Sequence, residues 1–242
     1  MSDRIQPLIQ YLENRDALSL EELNALKALP VDLKSLKKGD YVVHEGDRPL
    51  RSCLVLDGLA ARTNLTAEGR RHITAVHIGG DFVDLHSLLL KQMDHAVVAL
   101  NNLEVAFVAH VDLLALIKDH DHLGRLLWLS TVIDAAIQRA WTAAMGSRSA
   151  ADHMACLLCE LFIRLRAQGM TRGNSFNFPV TQADLGDMLG LSAVHVNRTL
   201  QDLRKTKLVS WRGSTVTITN FDSLARLVSF DPQYLNLRRE PR

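Results

Sequence analysis

The sequence has little of what marks a secreted, membrane-spanning or disulfide-rich protein. Its 242 residues include three cysteines, six prolines and 13 glycines, an ordinary globular composition that suits one large domain or two smaller ones. Three unevenly placed cysteines cannot form a disulfide framework. No apolar run approaches the roughly 18 residues of a membrane-spanning helix, and the N-terminus leads into an amphipathic stretch rather than a signal core. We therefore expect a soluble, cytoplasmic protein with no membrane partner.

Catalytic signatures are also missing. The chain has no phosphate-binding loop, no GxSxG turn and no paired carboxylates, so we predict no catalytic residues and no enzyme activity. Cys156 and Cys159 have CxxC spacing, but they lie on an apolar helical stretch without a second pair of ligands. Such cysteines usually pack in a core. The sequence thus predicts no metal site and no cofactor.

Charge is unevenly distributed along the chain. Residues 1–146 carry 15 Lys and Arg against 19 Asp and Glu, whereas residues 147–242 carry 13 against eight. The overall formal charge of +1 conceals this difference. A basic second half joined to a mildly acidic first half indicates that the second half meets a polyanion.

The first half has the texture of a β protein. Ser19 and Glu22 form a capping-box pattern that opens a short helix. From Val31 to about Val111, short apolar runs are separated by glycine turns about every ten residues. This spacing predicts a β-sandwich or barrel, most simply a jelly roll.

A long helix is predicted from Asp121 to Met145, ended by the break at residues 146–149. Some 25 residues span roughly 37 Å, more than a small sandwich needs to cover. We therefore favour a dimerisation helix over one that packs only on its own domain. The predicted interface residues recur at alternating steps of four and three: Leu126, Ser130, Ile133, Ile137, Ala140 and Ala144.

The most informative segment runs from Thr181 to Val209. A helix that begins after Thr181 stops at Gly190, and a second helix follows from Ala193 to Lys205. The connector is short enough to force a sharp crossing angle, which is typical of a helix-turn-helix. Residues 208–218 then read as strand, glycine turn and strand, which predicts a β-hairpin wing.

Polar side chains occupy the outward face of the second helix, where arginine and asparagine can read base edges in the major groove. A solvated helix face has a similar composition, and the wing is what favours DNA. The alternative is a sensor or adaptor module that does not read DNA specifically, against which the basic wing argues. The predicted DNA-contacting residues are Thr181, Gln182, Ser192, His195, Asn197, Arg198, Lys205 and Arg212.

Taken with these motifs, the sequence resembles the Crp/Fnr family of bacterial regulators over nearly its whole length. Residues 38–47, 56–58 and 79–82 resemble the family's cyclic-nucleotide-binding jelly roll, and residues 179–192 and 196–200 resemble its helix-turn-helix. The resemblance implies a homodimer that binds double-stranded DNA at a palindromic site, and RNA polymerase as a partner if the protein is an activator. It also implies a sensor domain whose effector the sequence does not identify.

Two departures from the family pattern bear on the signal. Members that bind cyclic AMP carry an Arg followed by Ser or Thr to clamp the phosphate, and here Asp94 and His95 stand in that place. Because a carboxylate repels a phosphate, we predict that cyclic AMP does not bind tightly. The first 52 residues contain no cysteine, which argues against an iron–sulfur cluster.

Ten histidines raise the question of a metal or haem, but no pair in the first half has the spacing of a helical metal site. We interpret them as scattered strand and surface residues. A haem held by one axial histidine leaves no local pattern, so the sequence leaves it open. For an effector pocket the candidates are Asp81, His86, Asp94 and His95.

These observations predict an α+β protein with four parts. Residues 1–118 form the jelly-roll sensor with its N-terminal helix, and residues 119–146 form the dimerisation helix. Residues 147–222 form the winged helix-turn-helix, and residues 223–242 form a C-terminal helical extension.

The recognition-helix position at which many family members carry a base-reading glutamate is occupied by Val194.

Overall fold

The computed structural model describes residues 4–242. The described chain divides into two compact units. The first contains residues 4–64, Ala75–Ala135 and Asn236–Arg242, and the second contains Leu65–Thr74 and Ala136–Leu235. The division falls inside the long helix, whereas the sequence analysis drew boundaries at the ends of that helix. Contacts within each unit, rather than breaks in secondary structure, set this division.

Two short helices open the first unit, α1 (Gln6–Glu13) and α2 (Leu20–Ala28). The predicted capping box begins α2: the Ser19 hydroxyl accepts the N–H of Glu22 at 3.2 Å, and the Glu22 carboxylate accepts the N–H of Ser19 at 2.8 Å. These reciprocal bonds satisfy two N–H groups that would otherwise lack partners at the helix start.

Two antiparallel sheets form the predicted β domain. One has the strand order β1-β7-β3 and the other the order β2-β6-β4-β5. Apolar side chains of β3 and β7 fill the interior, including Cys53, Val55 and Val105. The strands are β1 (Asp32–Leu36), β2 (Tyr41–Val43), β3 (Arg51–Asp57), β4 (Ala60–Leu65), β5 (Arg71–His77), β6 (Ala96–Ala99) and β7 (Leu103–Ala109).

The turn at Gly58 shows why glycines separate the strands of this domain. Gly58 joins β3 to β4 at φ +90°, in the left-handed region that favours glycine. A Cβ atom at this position would collide with the backbone carbonyl of Asn102 and approach Leu103 to 3.0 Å. Only glycine therefore lets these two loops pass each other.

Helices follow the strands and continue the chain. The short α3 (Ser87–Leu90) follows β5, and α4 (His110–Asp119) follows β7 directly. The long α5 runs from Asp121 to Ser147, and α6 (Ala150–Ala167) follows with Ser149 as its N-cap. The predicted break is thus confined to Arg148 and Ser149, since Gly146 and Ser147 still belong to α5. No helix among residues 4–242 combines the length and apolar character needed to cross a membrane.

The second unit carries the predicted winged helix-turn-helix. A third strand, absent from the sequence prediction, joins the wing and gives the sheet order β8-β10-β9. The phenylalanines of β8 and of α6 pack together, with Phe162 and Phe176 ring centroids 6.2 Å apart. The elements are β8 (Ser175–Asn177), α7 (Gln182–Leu189), α8 (Ala193–Lys205), β9 (Val209–Arg212) and β10 (Thr215–Ile218).

The C-terminal extension consists of two pieces rather than one helix, α9 (Phe221–Leu227) and a 3-10 turn (Pro232–Leu235). The buried carboxylate of Glu160 on α6 anchors the turn. It accepts hydrogen bonds from the Tyr234 hydroxyl at 2.8 Å and from the Trp141 indole at 3.0 Å, and Arg164 lies 3.1 Å away. Burial raises the pKa of Glu160, which these charged and polar partners oppose.

Candidate nucleic-acid interface and sensor residues

Helix α7 begins at a well-formed cap. The Thr181 hydroxyl accepts the N–H of Asp184 at 3.1 Å, and the Asp184 carboxylate accepts the N–H of Thr181 at 2.9 Å. Burial opposes ionisation of Asp184, but the bonds from Thr181 and Arg71 hold its pKa below the ordinary value. A carboxylate in this first turn also complements the helix dipole.

Arg71 is a further partner of α7 that the sequence analysis did not identify. It belongs to the segment Leu65–Thr74 of the same unit. Its guanidinium donates to Asp184 at 2.6 Å and to Asp187 at 2.7 Å. This forked ion pair fixes the outer face of α7. The sequence signal is weak because the pair joins residues 113 positions apart.

The turn between the two helices depends on Gly186. The N–H of Leu191 donates to the Gly186 carbonyl at 2.9 Å, and a Cβ at Gly186 would lie 2.6 Å from the Leu191 carbonyl oxygen. Gly190 ends α7 in the left-handed conformation at φ +67°. The Ser192 hydroxyl then caps α8 by accepting the N–H of His195. A glycine inside α7 therefore sets how closely the turn approaches the helix.

Helix α8 has one buried and one exposed side. Val196, Thr199, Leu200 and Leu203 are buried against the rest of the unit. Val194 on the outward side is an apolar residue that is 81% exposed. All eight residues predicted to contact DNA are exposed, and they lie on the helix caps, at the start of α7, on α8 or on the wing: Thr181, Gln182, Ser192, His195, Asn197, Arg198, Lys205 and Arg212.

Cations cluster where α8 ends and the wing begins. Arg204, Lys207 and Arg212 line one open depression together with residues of β9. Lys205 pairs with Asp202 on the same helix at 2.7 Å. This pair lowers the pKa of Asp202. Arg204, which the sequence analysis did not select, therefore belongs to the candidate interface.

Three of the four predicted effector residues come together in the first unit. His86, Asp94 and His95 offer ligand atoms that all lie within 4.8 Å of one another. Asp81 is not part of this group, because its carboxylate accepts the N–H of Ile78 in the turn after β5. A role for Asp81 in an effector pocket stays a prediction.

The predicted dimer stripe of α5 faces its own chain. Leu126 is fully buried in the core of the first unit, and Ile133, Ile137 and Ala144 are buried as well. Ser130 is half-buried, and its hydroxyl donates a hydrogen bond to the Leu127 carbonyl. Ala140 lines a cavity of the second unit with Ala144. Four of the six side chains are thus buried within the chain itself and two are half-buried, and their place in a dimer interface stays a prediction.

The exposed apolar side chains of α5 lie on a different face. Trp128 is 71% exposed and Val132 is 44% exposed, and both follow Arg125 at steps of three and four. Ala135 and Arg139 continue this spacing. An exposed tryptophan and valine at heptad spacing are typical of a helix that pairs with another helix.

Comparison with known proteins places both halves of the chain. Residues 33–120 match the family model of the cyclic nucleotide-binding domain, and residues 153–227 match that of the Crp-like helix-turn-helix domain. The two models match in the order in which the sequence predicted a jelly roll and a winged helix-turn-helix.

The relatives are regulators of transcription. The chain is 25% identical over 208 residues to the transcriptional activator protein FnrL of Cereibacter sphaeroides, covering 84% of this chain and 83% of the relative. It is 24% identical over 202 residues to the transcriptional activator protein Anr of Pseudomonas protegens, covering 84% and 82%. These similarities support the prediction that the chain is not an enzyme.

Solved structures show the same fold. FixK2 from Bradyrhizobium japonicum superimposes with a TM-score of 0.73 at 23% identity, covering 82% of this chain and 98% of FixK2. The c-di-GMP responsive regulator CLP from Xanthomonas campestris gives a TM-score of 0.65 at 16% identity, covering 84% and 100%. The predicted α+β architecture, with an N-terminal β domain of the cyclic-nucleotide-binding type, a long helix and a C-terminal helix-turn-helix, is confirmed.

Proposed function

Because this chain belongs to the Crp/Fnr family of transcription regulators, we propose that it acts as a cytoplasmic homodimer that reads a palindromic promoter site through α8. The observation that carries this proposal is the exposed polar face of α8. Its buried side is packed and its N-terminus is capped, so the helix is held rigidly with its base-reading groups in solvent. Half-sites about one helical turn apart follow from the two-fold symmetry.

The residues of α8 have separate roles in this proposal. Arg198 donates two hydrogen bonds to a guanine edge, and Asn197 and His195 lie beside it on exposed positions. Val194 offers an apolar surface that suits the methyl group of a thymine. Ser192, Lys205 and Arg212, with the α7 residues Thr181 and Gln182, contact phosphates and set the register.

The dimer is proposed to form through the outward face of α5, at Trp128 and Val132, rather than through the stripe first predicted. Both side chains are exposed in the single chain, and pairing two such helices removes them from water. The curated relatives are named as activators, and we extend to this chain a contact with RNA polymerase. We also propose that the sensor domain ends at residue 118, the dimerisation helix at residue 146 and the DNA-binding domain at residue 222.

Cyclic AMP is not the proposed effector. Asp94 carries a carboxylate where a phosphate-binding group is needed, and His95 beside it is engaged with that carboxylate at 2.7 Å. A calorimetric titration with cyclic AMP tests this directly. We expect no binding in the micromolar range, and a micromolar dissociation constant would contradict the prediction.

The function is tested by selecting bound sequences from a random pool of DNA duplexes with the purified full-length chain. Enrichment of a palindrome with half-sites one turn apart is the expected result. The Arg198→Ala variant should lose about 1–3 kcal/mol of binding free energy and relax selectivity at one base pair of each half-site. Lys118→Ala in the first unit is the matched control and should leave the selected motif unchanged.

Two other results would contradict these assignments. If Arg198→Ala weakens binding equally on all sequences, Arg198 is a phosphate contact instead of a base reader. If the chain shows no salt-dependent DNA binding even at low salt, the adaptor alternative replaces the regulator.

A further inference from the structure

His86, Asp94 and His95 form a compact group in the first unit. His86 occupies the N-cap position of α3, and Asp94 and His95 come just before β6. The two imidazole rings have centroids 5.0 Å apart and are tilted by 47°. Two loops of the sandwich thus bring together three side chains whose chemistry suits a metal ion.

The two imidazoles carry nitrogens without partners. Among the residues that the structure describes, neither His86 Nε2 nor His95 Nε2 has a hydrogen-bond partner, although both atoms are buried. The His95 residue is only 5% exposed. Buried polar atoms are normally satisfied, and each exception asks for an explanation such as a bound ion. Two such nitrogens in neighbouring rings point to a shared ligand.

Asp94 orients one of these rings. Its carboxylate lies 2.7 Å from Nδ1 of His95 and accepts a hydrogen bond from the N–H of that nitrogen when the ring is neutral. The neutral ring then carries its lone pair on Nε2, the unpartnered atom. Histidine ligands of metals commonly have such a carboxylate partner, which fixes the tautomer and the ring orientation.

Charge around the group favours a cation over an anion. The carboxylate of Asp94 places a negative charge beside the two rings. Neutral imidazoles donate their lone pairs to a metal but give a phosphate no positive charge. The buried Arg62 could serve a phosphate, but it is paired with Asp134 at 2.5 Å.

We propose that His86 and His95, with Asp94 as orienting partner, form a binding site for a divalent transition-metal ion such as Zn²⁺, Co²⁺ or Ni²⁺. Metal–imidazole bonds of about 2.0–2.1 Å require the two rings to turn toward each other, and water fills the remaining coordination positions. This inference names an effector class for the sensor unit and in that respect rests on the proposed function. Metal binding itself does not depend on DNA.

The CxxC pair is a poor competitor for the same ion. Burial raises the pKa of the Cys159 thiol to about 12, so it remains protonated at neutral pH. Thiols bind metals as thiolates, and forming one here would carry the full cost of burial. A Cys156→Ser variant is therefore a suitable control for binding elsewhere in the chain.

The test titrates the full-length, chelator-treated chain with Co²⁺ followed by visible absorption, and with Zn²⁺ by equilibrium dialysis. We expect one ion per chain. His86→Ala and His95→Ala should each weaken binding by more than ~100-fold, and Asp94→Asn by about 10–100-fold, the range for loss of an orienting partner. His44→Ala, which changes an exposed histidine outside the group, and Cys156→Ser should bind as the parent does.

His86→Gln and His95→Gln repeat the measurement with side chains that keep a polar group, and circular dichroism confirms folding. Equal affinity in the parent and in both histidine variants overturns the proposal, as does binding that disappears only in Cys156→Ser. Sequence selection with the same proteins separates the two proposals. If the histidine variants no longer bind metal but still select a palindrome, the proposed DNA-binding function stands. If the unsubstituted chain selects DNA but does not bind Co²⁺, only the metal-site proposal is overturned.

Discussion

The recognition helix and the histidine group hold their polar side chains in opposite ways. On α8, His195, Asn197 and Arg198 are exposed, so their polar groups are open to solvent. In the sensor unit, His95 is almost fully buried with its Nε2 unpartnered. The difference fits the two proposals. Exposed polar groups can pass from water to one DNA sequence after another, whereas a buried site gains selectivity for one small ligand from being desolvated.

The two regions also differ in how their residues are assembled. The residues predicted to contact DNA come from two helix caps, the start of α7, the exposed face of α8 and the wing, so local rules place most of them. The histidine group joins residues from two loops, on either side of α3, whose approach depends on the packing of the sandwich. The first should therefore respond to changes in helix geometry and the second to changes in burial.

The largest effect is expected from a change in the backbone geometry of the helix-turn-helix, which should weaken DNA binding and leave the histidine group unaffected. Gly186→Ala places a Cβ against the Leu191 carbonyl, so α8 must move relative to α7. Loss of about two bidentate base contacts would reduce specific DNA affinity by about 100-fold or more. Metal binding by the sensor should be unchanged. Quantitative DNA binding by fluorescence anisotropy measures the effect.

Gly146→Ala is the matched control, since a Cβ there meets nothing within 4 Å. It should leave DNA affinity unchanged and slightly increase stability. Unaltered specific affinity in Gly186→Ala would show that the turn can relax without moving the recognition helix.

An intermediate effect is expected on the free energy of unfolding, because His95 in the histidine group is buried and His195 on α8 is exposed. In the metal-free protein, His95→Leu removes an unpartnered buried nitrogen and should raise the free energy of unfolding by about 1 kcal/mol, because leaving such a group unsatisfied costs about 1–3 kcal/mol and the bond to the exposed Asp94 offsets part of it. His195→Leu on the exposed face of α8 should change stability by less than about 0.5 kcal/mol. Urea denaturation of both variants provides the comparison.

A loss of more than ~1 kcal/mol in His95→Leu would mean that the ring is held by stabilising contacts. The contrast between the two histidines would then disappear.

The smallest effect concerns the exposed pair on α8. Asp202→Ala frees Lys205 from its partner and removes a negative charge beside the DNA. Because exposed pairs contribute less than about 1 kcal/mol, affinity should rise no more than about fivefold. The rise should be largest at low salt and similar on all sequences. A salt titration of binding measures it, with Asp222→Ala on α9 as the control; a sequence-dependent change would instead place Asp202 near a base.

Much of the second unit could be predicted from the sequence because its signals are local. Thr181, Gly190 and Ser192 are caps that act within a few residues, and they fix both helices of the motif and the exposed face of α8. The glycine turns predicted the strands of the sandwich for the same reason. The third strand of the wing carried no such signal, since it is three residues long and pairs with β10.

The predicted dimer stripe shows what local rules leave undecided. A heptad pattern identifies apolar positions on a helix but not which of them its own chain already covers. Leu126 fitted the pattern and is buried in the first unit, whereas Trp128 lay outside the chosen stripe and is exposed. The fork from Arg71 to α7 was equally invisible, because attraction between charges 113 residues apart depends on where the chain folds.

The sequence by itself determined the order of the domains, the helix-turn-helix with its wing and the polar face of α8, because hydrophobic periodicity, caps and glycine turns act over a few residues. Only the tertiary structure decided which face of α5 is left for a partner, that Gly186 must lack a side chain, and that His86, Asp94 and His95 meet. These depend on burial and on contacts between distant segments. Packing fixes them once the whole chain has folded.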